Sequence, residues 1–191
     1  MNKMNKKYLL PTLLFFLTII LISCGNNNKF KIIKGKVGTL TPATTIQQLE
    51  KIFKKDSIVK NLSEGSLGDN YFQDDDEYLI YEKGGKHLLT IIPKEQLDST
   101  STIKSIQIFD KRYKTENGTN IESTFSEIRL NNNVNKVETS FSSATLFLDD
   151  LNATIAIDKE ELGLKEFSTE KVSLEQIPDL AKMKSFIIWF N

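Results

Sequence analysis

Residues 77–92, "EYLIYEKGGKHLLTII", decide how the rest of the chain is read. Two runs rich in β-branched, aromatic and aliphatic residues flank Gly84-Gly85. Paired glycines supply the positive φ that a two-residue hairpin turn demands, so the stretch predicts two antiparallel strands. Working forward, "TIKSIQIF" (102–109) alternates at Ile106 and Ile108 and predicts a third strand. Working back, residues 57–76 hold Gly65, Gly68 and an acid run and are expected to be irregular.

Farther out the pattern repeats in kind. "NKFKIIKGKVGTL" (28–40) predicts one strand or a pair of short ones. "NKVETSF" (135–141), "ATLFLDD" (144–150) and "NATIAID" (152–158) predict three more, the last two turning around Asp150-Leu151. "KSFIIWF" (184–190) closes the chain as an apolar, buried strand. The period changes from two to 3.6 in only two places. Ile46, Leu49 and Phe53 mark a helix from about Ile46 to Lys54, capped by Thr44 or Thr45 with Gln47 or Gln48 completing a capping box. Phe125 and Ile128 mark a shorter one, capped at Ser123 or Thr124 with Glu127 in the box and ended by the asparagines at 131–133. "SLEQIP" is a brief helical turn capped by Ser173. Many strands and few helices predict an α+β fold, an antiparallel sheet with short helices on one face. Displaced by 79 residues, "TTIQQL" lies on "STFSEI", which raises the possibility of two helix-plus-strands repeats, about 30–109 and 110–191.

The amino terminus is of another kind. Lys3, Lys6 and Lys7 precede "LLPTLLFFLTIILIS" (9–23), which carries no charge. A basic start, a short apolar run and a small residue at its boundary are the parts of a secretory signal. A membrane-spanning helix needs about 20 apolar residues, and Pro11 interrupts this run early. Leu21-Ile22-Ser23-Cys24 resembles the bacterial lipoprotein signal, the lipobox, with Cys24 at the acceptor position. The resemblance implies a signal peptide over 1–23 and a diacylglycerol on the Cys24 sulfur, with the membrane as the lipid's partner. Gly25-Asn26-Asn27-Asn28 continues a lipidated tether over 24–29, leaving 30–191 as a single α+β domain. No Asp follows the cysteine to argue for inner-membrane retention, and no acid cluster argues for surface export. The expected location is the outer membrane, facing the periplasm.

Composition excludes several classes. The chain balances 25 basic and 25 acidic residues, and the leader takes away three lysines and no acids, so the remainder is mildly acidic. That is no footprint for nucleic acid. With one cysteine, at the lipobox, no internal disulfide can form, and packing must hold the domain.

Candidate chemistry is sparse. Ser-x-x-Lys occurs at Ser57/Lys60, Ser101/Lys104 and Ser168/Lys171, about as often as chance gives, without Ser-Asp-Asn or Lys-Thr-Gly; Gly-x-Ser-x-Gly is absent. His87 is the lone histidine, expected to face outward from the second hairpin strand, and one histidine without a thiol makes no zinc site. Asp74-Asp75-Asp76-Glu77, with Asp69 and Asn70, is the best candidate for calcium, but the calcium-loop spacing is missing and a solvated loop is the expectation. Asp149-Asp150 with Asn152 reads as turn chemistry. Arg112 and Tyr113 beside Glu116 form a polar cluster that could clamp a carboxylate or phosphate, or could pin the Asn117-Gly118 loop by a salt bridge. Tyr71, Phe72 and Tyr78 flank the acid run and could anchor a partner or fill the edge of the core. No nucleotide loop, redox pair or ligand spacing calls for a cofactor.

"FDKRYKTENGTNIESTFSEI" (109–128) resembles a segment of uncharacterised lipoproteins from Bacteroidetes-type bacteria, with Asp110, Arg112, Tyr113, Thr115, Gly118, Ser123 and Thr124 at matching positions. Thr119 and Glu122 depart from the pattern, where a hydrophobic residue and a glycine are usual. The doubled helix-and-sheet arrangement is similar, at the level of fold, to β-lactamase-inhibitor-protein-like modules and to a small lipoprotein of the barrel-assembly machinery, both binding modules. No activity comes with the family and none follows from a likeness of fold; the expectation is a non-catalytic binding domain with a protein or envelope partner. The rival expectations are a small-ligand receptor or hydrolytic enzyme of the periplasm, and a purely structural envelope component.

Overall fold

The computed structural model describes residues 29–63, 75–165 and 167–190. The dominant element is an eight-stranded, wholly antiparallel sheet. Its strands are β3 (Ser57–Asn61), β4 (Glu77–Tyr81), β5 (His87–Pro93), β6 (Ile103–Ile108), β8 (Val134–Thr139), β9 (Ser143–Leu148), β10 (Ala153–Asp158) and β11 (Ser185–Trp189). Beside it lies a small sheet of β1 (Lys31–Ile33), β2 (Lys36–Val37) and β7 (Lys114–Thr115), in which β1 pairs parallel to β7. The two α-helices among the described residues are short: α1 (Leu49–Ile52), continuing a 3-10 turn over Ile46–Gln48, and α2 (Phe125–Asn131). The class is α+β with the sheet predominant.

Strand order in the large sheet is β3-β4-β5-β6-β11-β10-β9-β8. Each short helix precedes four strands that meander outward or inward, and the last strand of each set, β6 and β11, meet at the centre with Ile188 opposite Ile106. One core joins everything. Ile80, Leu89, Ile106, Ile108, Phe186, Ile188, Ile155 and Leu146 point from the sheet to meet Ile46, Leu49, Phe53, Phe125 and Ile128 from the helical segments and Ile32 and Val37 from the small sheet. Strict alternation along β9, β10 and β11 puts these residues on one side and Phe147, Thr154, Ile187 and Trp189 on the other.

Local chemistry explains the helix starts. Gln48 Oε1 accepts from the Thr45 N–H at 3.1 Å, and Glu127 Oε2 accepts from the Thr124 N–H at 2.9 Å, the reciprocal half of a capping box in each case. Three expectations need correction. Ser57–Asn61 is a strand, not irregular chain; β3 is an edge strand, largely exposed, so its residues show no apolar alternation for a reader to find. The first helix is shorter than Ile46–Lys54 because it begins as a 3-10 turn and Phe53 leaves helical geometry. The hairpin loop holds three residues, Lys83-Gly84-Gly85, closed by Glu82 N–H to Lys86 O at 2.8 Å; both glycines do take positive φ, 118° and 91°.

Candidate functional site

Two regions draw together the chemistry that the sequence singles out. The first is the polar cluster around Arg112, positioned by the turn after β6. Asp110 is fully buried, and its carboxylate accepts from the Arg112 backbone N–H at 2.9 Å, from Arg112 Nε at 3.1 Å and Nη2 at 2.7 Å, and from Lys86 Nζ at 2.9 Å. The same guanidinium forks onto Glu82 with both contacts at 2.9 Å and lies 4.7 Å above the Phe30 ring. Burial pushes the Asp110 carboxyl up, but the hydrogen bonds from Arg112 and Lys86 outweigh it and hold the group well below the usual carboxylate range. Glu82 is likewise lowered, first of all by its hydrogen bonds from Arg112.

Arg112 thus fastens the β4–β5 hairpin, the turn after β6 and the start of β1. Its partner is not Glu116, which pairs with Lys31 instead. Tyr113 is buried, its ring edge-on to Phe30 at 4.9 Å, and burial pushes its hydroxyl up. An open depression of about 710 Å³ borders this cluster, lined by Phe30, Lys31, Lys111, Arg112, Lys114, Thr115 and Glu116. Lys31, Lys111 and Arg112 there are all neutralised by acids of the chain itself. Tyr71 and Phe72 lie outside the described residues.

The second region is the face of the large sheet turned away from the core. Cross-strand register sets Leu79, Thr90, Gln107, Ile187, Thr154 and Phe147 side by side in one row across it. At one end of that row Tyr81, His87 and Phe109 stack, with ring centroids 4.7 Å and 3.9 Å apart. At the other end Trp189 Nε1–H donates to Thr154 Oγ1 at 3.0 Å, and Lys136 lies over Phe147. Leu79, Ile187, Phe147 and Trp189 are half-exposed, so no second layer of the described residues closes over them. Sequence periodicity could have found part of this face, because Leu79, Phe147, Ile187 and Trp189 stand at outward positions among the polar and charged residues that a solvated face carries.

His87 is half-buried between its two ring neighbours rather than a freely hydrated outward ring. Its Nε2 lies 3.1 Å from both the Leu89 carbonyl and the Thr90 hydroxyl. Donation to the carbonyl puts the proton on Nε2, and in that tautomer the ring cannot deprotonate Thr90. Burial lowers the imidazole pKa, partly offset by the Leu89 carbonyl and Glu77.

The remaining candidates serve structure. Asp76 is buried, taking hydrogen bonds from Ser63 N–H at 2.9 Å, Ser63 Oγ at 3.0 Å and Leu97 N–H at 2.6 Å; Asp75 pairs with Lys104. Among the described residues no three acidic, histidine or cysteine side chains gather to hold a metal ion; residues 69–74 of the acid run lie outside them. Asn152, at φ 52°, turns the β9–β10 hairpin and donates to Trp189 O at 2.8 Å. Of the serine–lysine pairs, Lys60 binds Glu50, Lys104 binds Asp75, Ser101 Oγ accepts from the Glu95 N–H, and Ser168 Oγ accepts from the Glu170 N–H.

No protein-family model matches the chain, and no curated protein does. Among solved structures, the uncharacterized protein yfeY from Escherichia coli is similar with a TM-score of 0.49 and 15% identity, over 84% of this chain and 99% of that one. A likeness of that size transfers no function.

Proposed function

We propose that this chain is a lipid-anchored lipoprotein of the outer membrane, facing the periplasm, whose domain binds a protein or envelope partner and performs no chemistry. The anchor reading comes from the lipobox resemblance at Cys24. Among the described residues no helix is long and apolar enough to cross a membrane. The binding reading is carried by one observation: Leu79, Ile187, Phe147 and Trp189 stand half-buried on the outer sheet face, interleaved with Thr90, Gln107 and Thr154. Rigid rings on a sheet cost little entropy to dock, and central aromatics of this kind supply the largest share of interface energy. The alternative of a receptor or hydrolase has less support, because Lys31, Lys111 and Arg112 beside the depression already hold acids of the chain, which leaves Lys114 as the cation there with no ion pair among the described residues. In the same reading, segments 30–109 and 110–191, each a short helix followed by four strands, are two copies of one unit.

The test is a cross-linked pull-down of the acylated protein from detergent-solubilised envelopes, read by mass spectrometry, with Cys24→Ser and Ile187→Glu as comparisons. One stoichiometric partner lost in Ile187→Glu supports a docking face; at an interface centre that change should weaken binding by about 2 kcal/mol or more. A partner retained at full yield by Ile187→Glu places the contact elsewhere, and no partner above background overturns the binding reading.

A further inference from the structure

Three of the most exposed apolar residues stand at one end of the sheet. The β8–β9 turn presents Phe141 at 67% exposure, the loop after β10 presents Phe167 at 70%, and the segment entering β11 presents Leu180 at 79%. These three segments are tied to one short stretch. The Lys159 N–H donates to Ser142 O at 3.0 Å, and its side chain, 1% exposed, reaches the carbonyls of Ser168 and Glu170. Two residues on, Glu161 Oε2 accepts from the Lys182 N–H at 2.9 Å. Phe167 is held at φ 59°, a left-handed conformation costly for an aromatic residue, and Val172 N–H on Thr139 Oγ1 pins the loop to β8. The backbone on either side of these rings is therefore held in place, while the rings themselves face water.

The described chain also begins at this end. Phe30 sits under Arg112, which grips Glu82 and Asp110. Asp110 lies two residues beyond the end of β6, and β11 enters beside that terminus while β10 leaves there, with Ala156 opposite Ser185. Lys29 and the Lys159 stretch thus share one end of the sheet, and the Asp149-Asp150 turn lies at the other. From Cys24 to Lys29 the chain can span no more than about 18 Å.

We infer that this end is a second membrane contact: Phe141, Phe167 and Leu180 enter the headgroup boundary of the bilayer that holds the Cys24 lipid. This rests on the lipid anchor proposed above. A short leash brings this end to the bilayer, and large apolar side chains suit an interface where apolar bodies sink about 5–10 Å while charged groups, here Lys165, Lys171 and Lys182 beside Glu160, Glu170 and Asp179, stay wet. The sheet then stands on end, with the Tyr81–His87–Phe109 stack close above the lipid and the rest of the outer face open to the periplasm.

The experiment uses the full acylated protein in vesicles of phosphatidylethanolamine, phosphatidylglycerol and a brominated phosphatidylcholine. Phe141→Trp and Phe167→Trp are compared with Leu130→Trp, 82% exposed on α2. The added fluorescence of the first two should be quenched about twofold or more and shifted to the blue, as for a ring at headgroup depth, and that of Leu130→Trp should be unaffected. Co-flotation with vesicles and an acyl mass on Cys24, but no quenching at 141 or 167, overturns this inference and leaves the anchor standing. Equal quenching at all three positions overturns the end-on orientation. A Cys24 without acyl mass removes the leash and overturns both.

Discussion

Asp110 shows how one buried charge can organise a surface. Its carboxylate is unexposed yet ionised, because three donors from Arg112 and one from Lys86 replace the water it has lost. Asp110→Asn should cost about 2 kcal/mol, less than a fully interior pair because Arg112 remains partly hydrated, and urea unfolding measures it. The folded carboxyl lies below its ordinary value of 3.8, so its contribution is full above that value and disappears as pH falls through and below it. Stability of the parent should therefore fall more steeply than that of Asp110→Asn between about pH 4 and pH 2. His87 works in the same direction from higher pH. Its folded pKa lies below 6.5, so the unfolded chain binds the proton first and stability declines as pH drops below that value. An imidazole titration followed by NMR should give a midpoint under 6.5; a midpoint above it would contradict the stacked, half-buried placement.

At the scale of elements, the small sheet depends on one glycine. Gly38 has φ +59°, and a Cβ there would meet Lys29 O at 2.3 Å. Gly163 has a similar φ, +71°, but nothing within 4 Å. Alanine at 163 should cost only the left-handed penalty, about 1 kcal/mol, whereas alanine at 38 must also displace backbone and should cost about 3 kcal/mol. Equal losses in thermal unfolding of the two variants would show that β1 yields easily. The edges of the large sheet are guarded by composition. β3 carries Lys60 and β8 carries Asn135, Lys136 and Glu138, which discourage another chain from pairing there.

The whole molecule closes through its last strand. β11 joins β6 to β10, so the two four-strand sets share one sheet only when residues 185–189 are in place. Phe186 and Ile188 are both unexposed in that seam. Phe186→Ala should lose about 4 kcal/mol, and chevron analysis should show folding on the millisecond-to-second scale expected for long-range strand pairing. One urea transition, coincident by fluorescence and circular dichroism, is expected, since a single core spans both sets. Two separated transitions would mean that the sets fold as independent units.

The local elements were legible because their causes are local. Runs of β-branched, aromatic and aliphatic residues wrote β4, β5, β9, β10 and β11, alternation wrote β6, a box of Thr124 and Glu127 wrote the start of α2, and paired glycines wrote the hairpin. β3 escaped because an exposed edge strand needs no apolar side, and β7 escaped because two residues, Lys114 and Thr115, become a strand only by pairing with β1, more than 80 positions earlier. Arg112 was recognisable as a special residue, but its partners were not: Glu116 is near in sequence, whereas Glu82 is brought to it by the β4–β5–β6 register. The sequence by itself determined most of the core strands, the helix caps and the lipobox-like leader, all set by neighbours along the chain. Only the tertiary structure decided that β6 meets β11, that no described element covers the outer sheet face, and that Phe141, Phe167 and Leu180 share an end with Lys29. Those facts depend on which distant segments exclude water from one another, and no short stretch of residues carries that information.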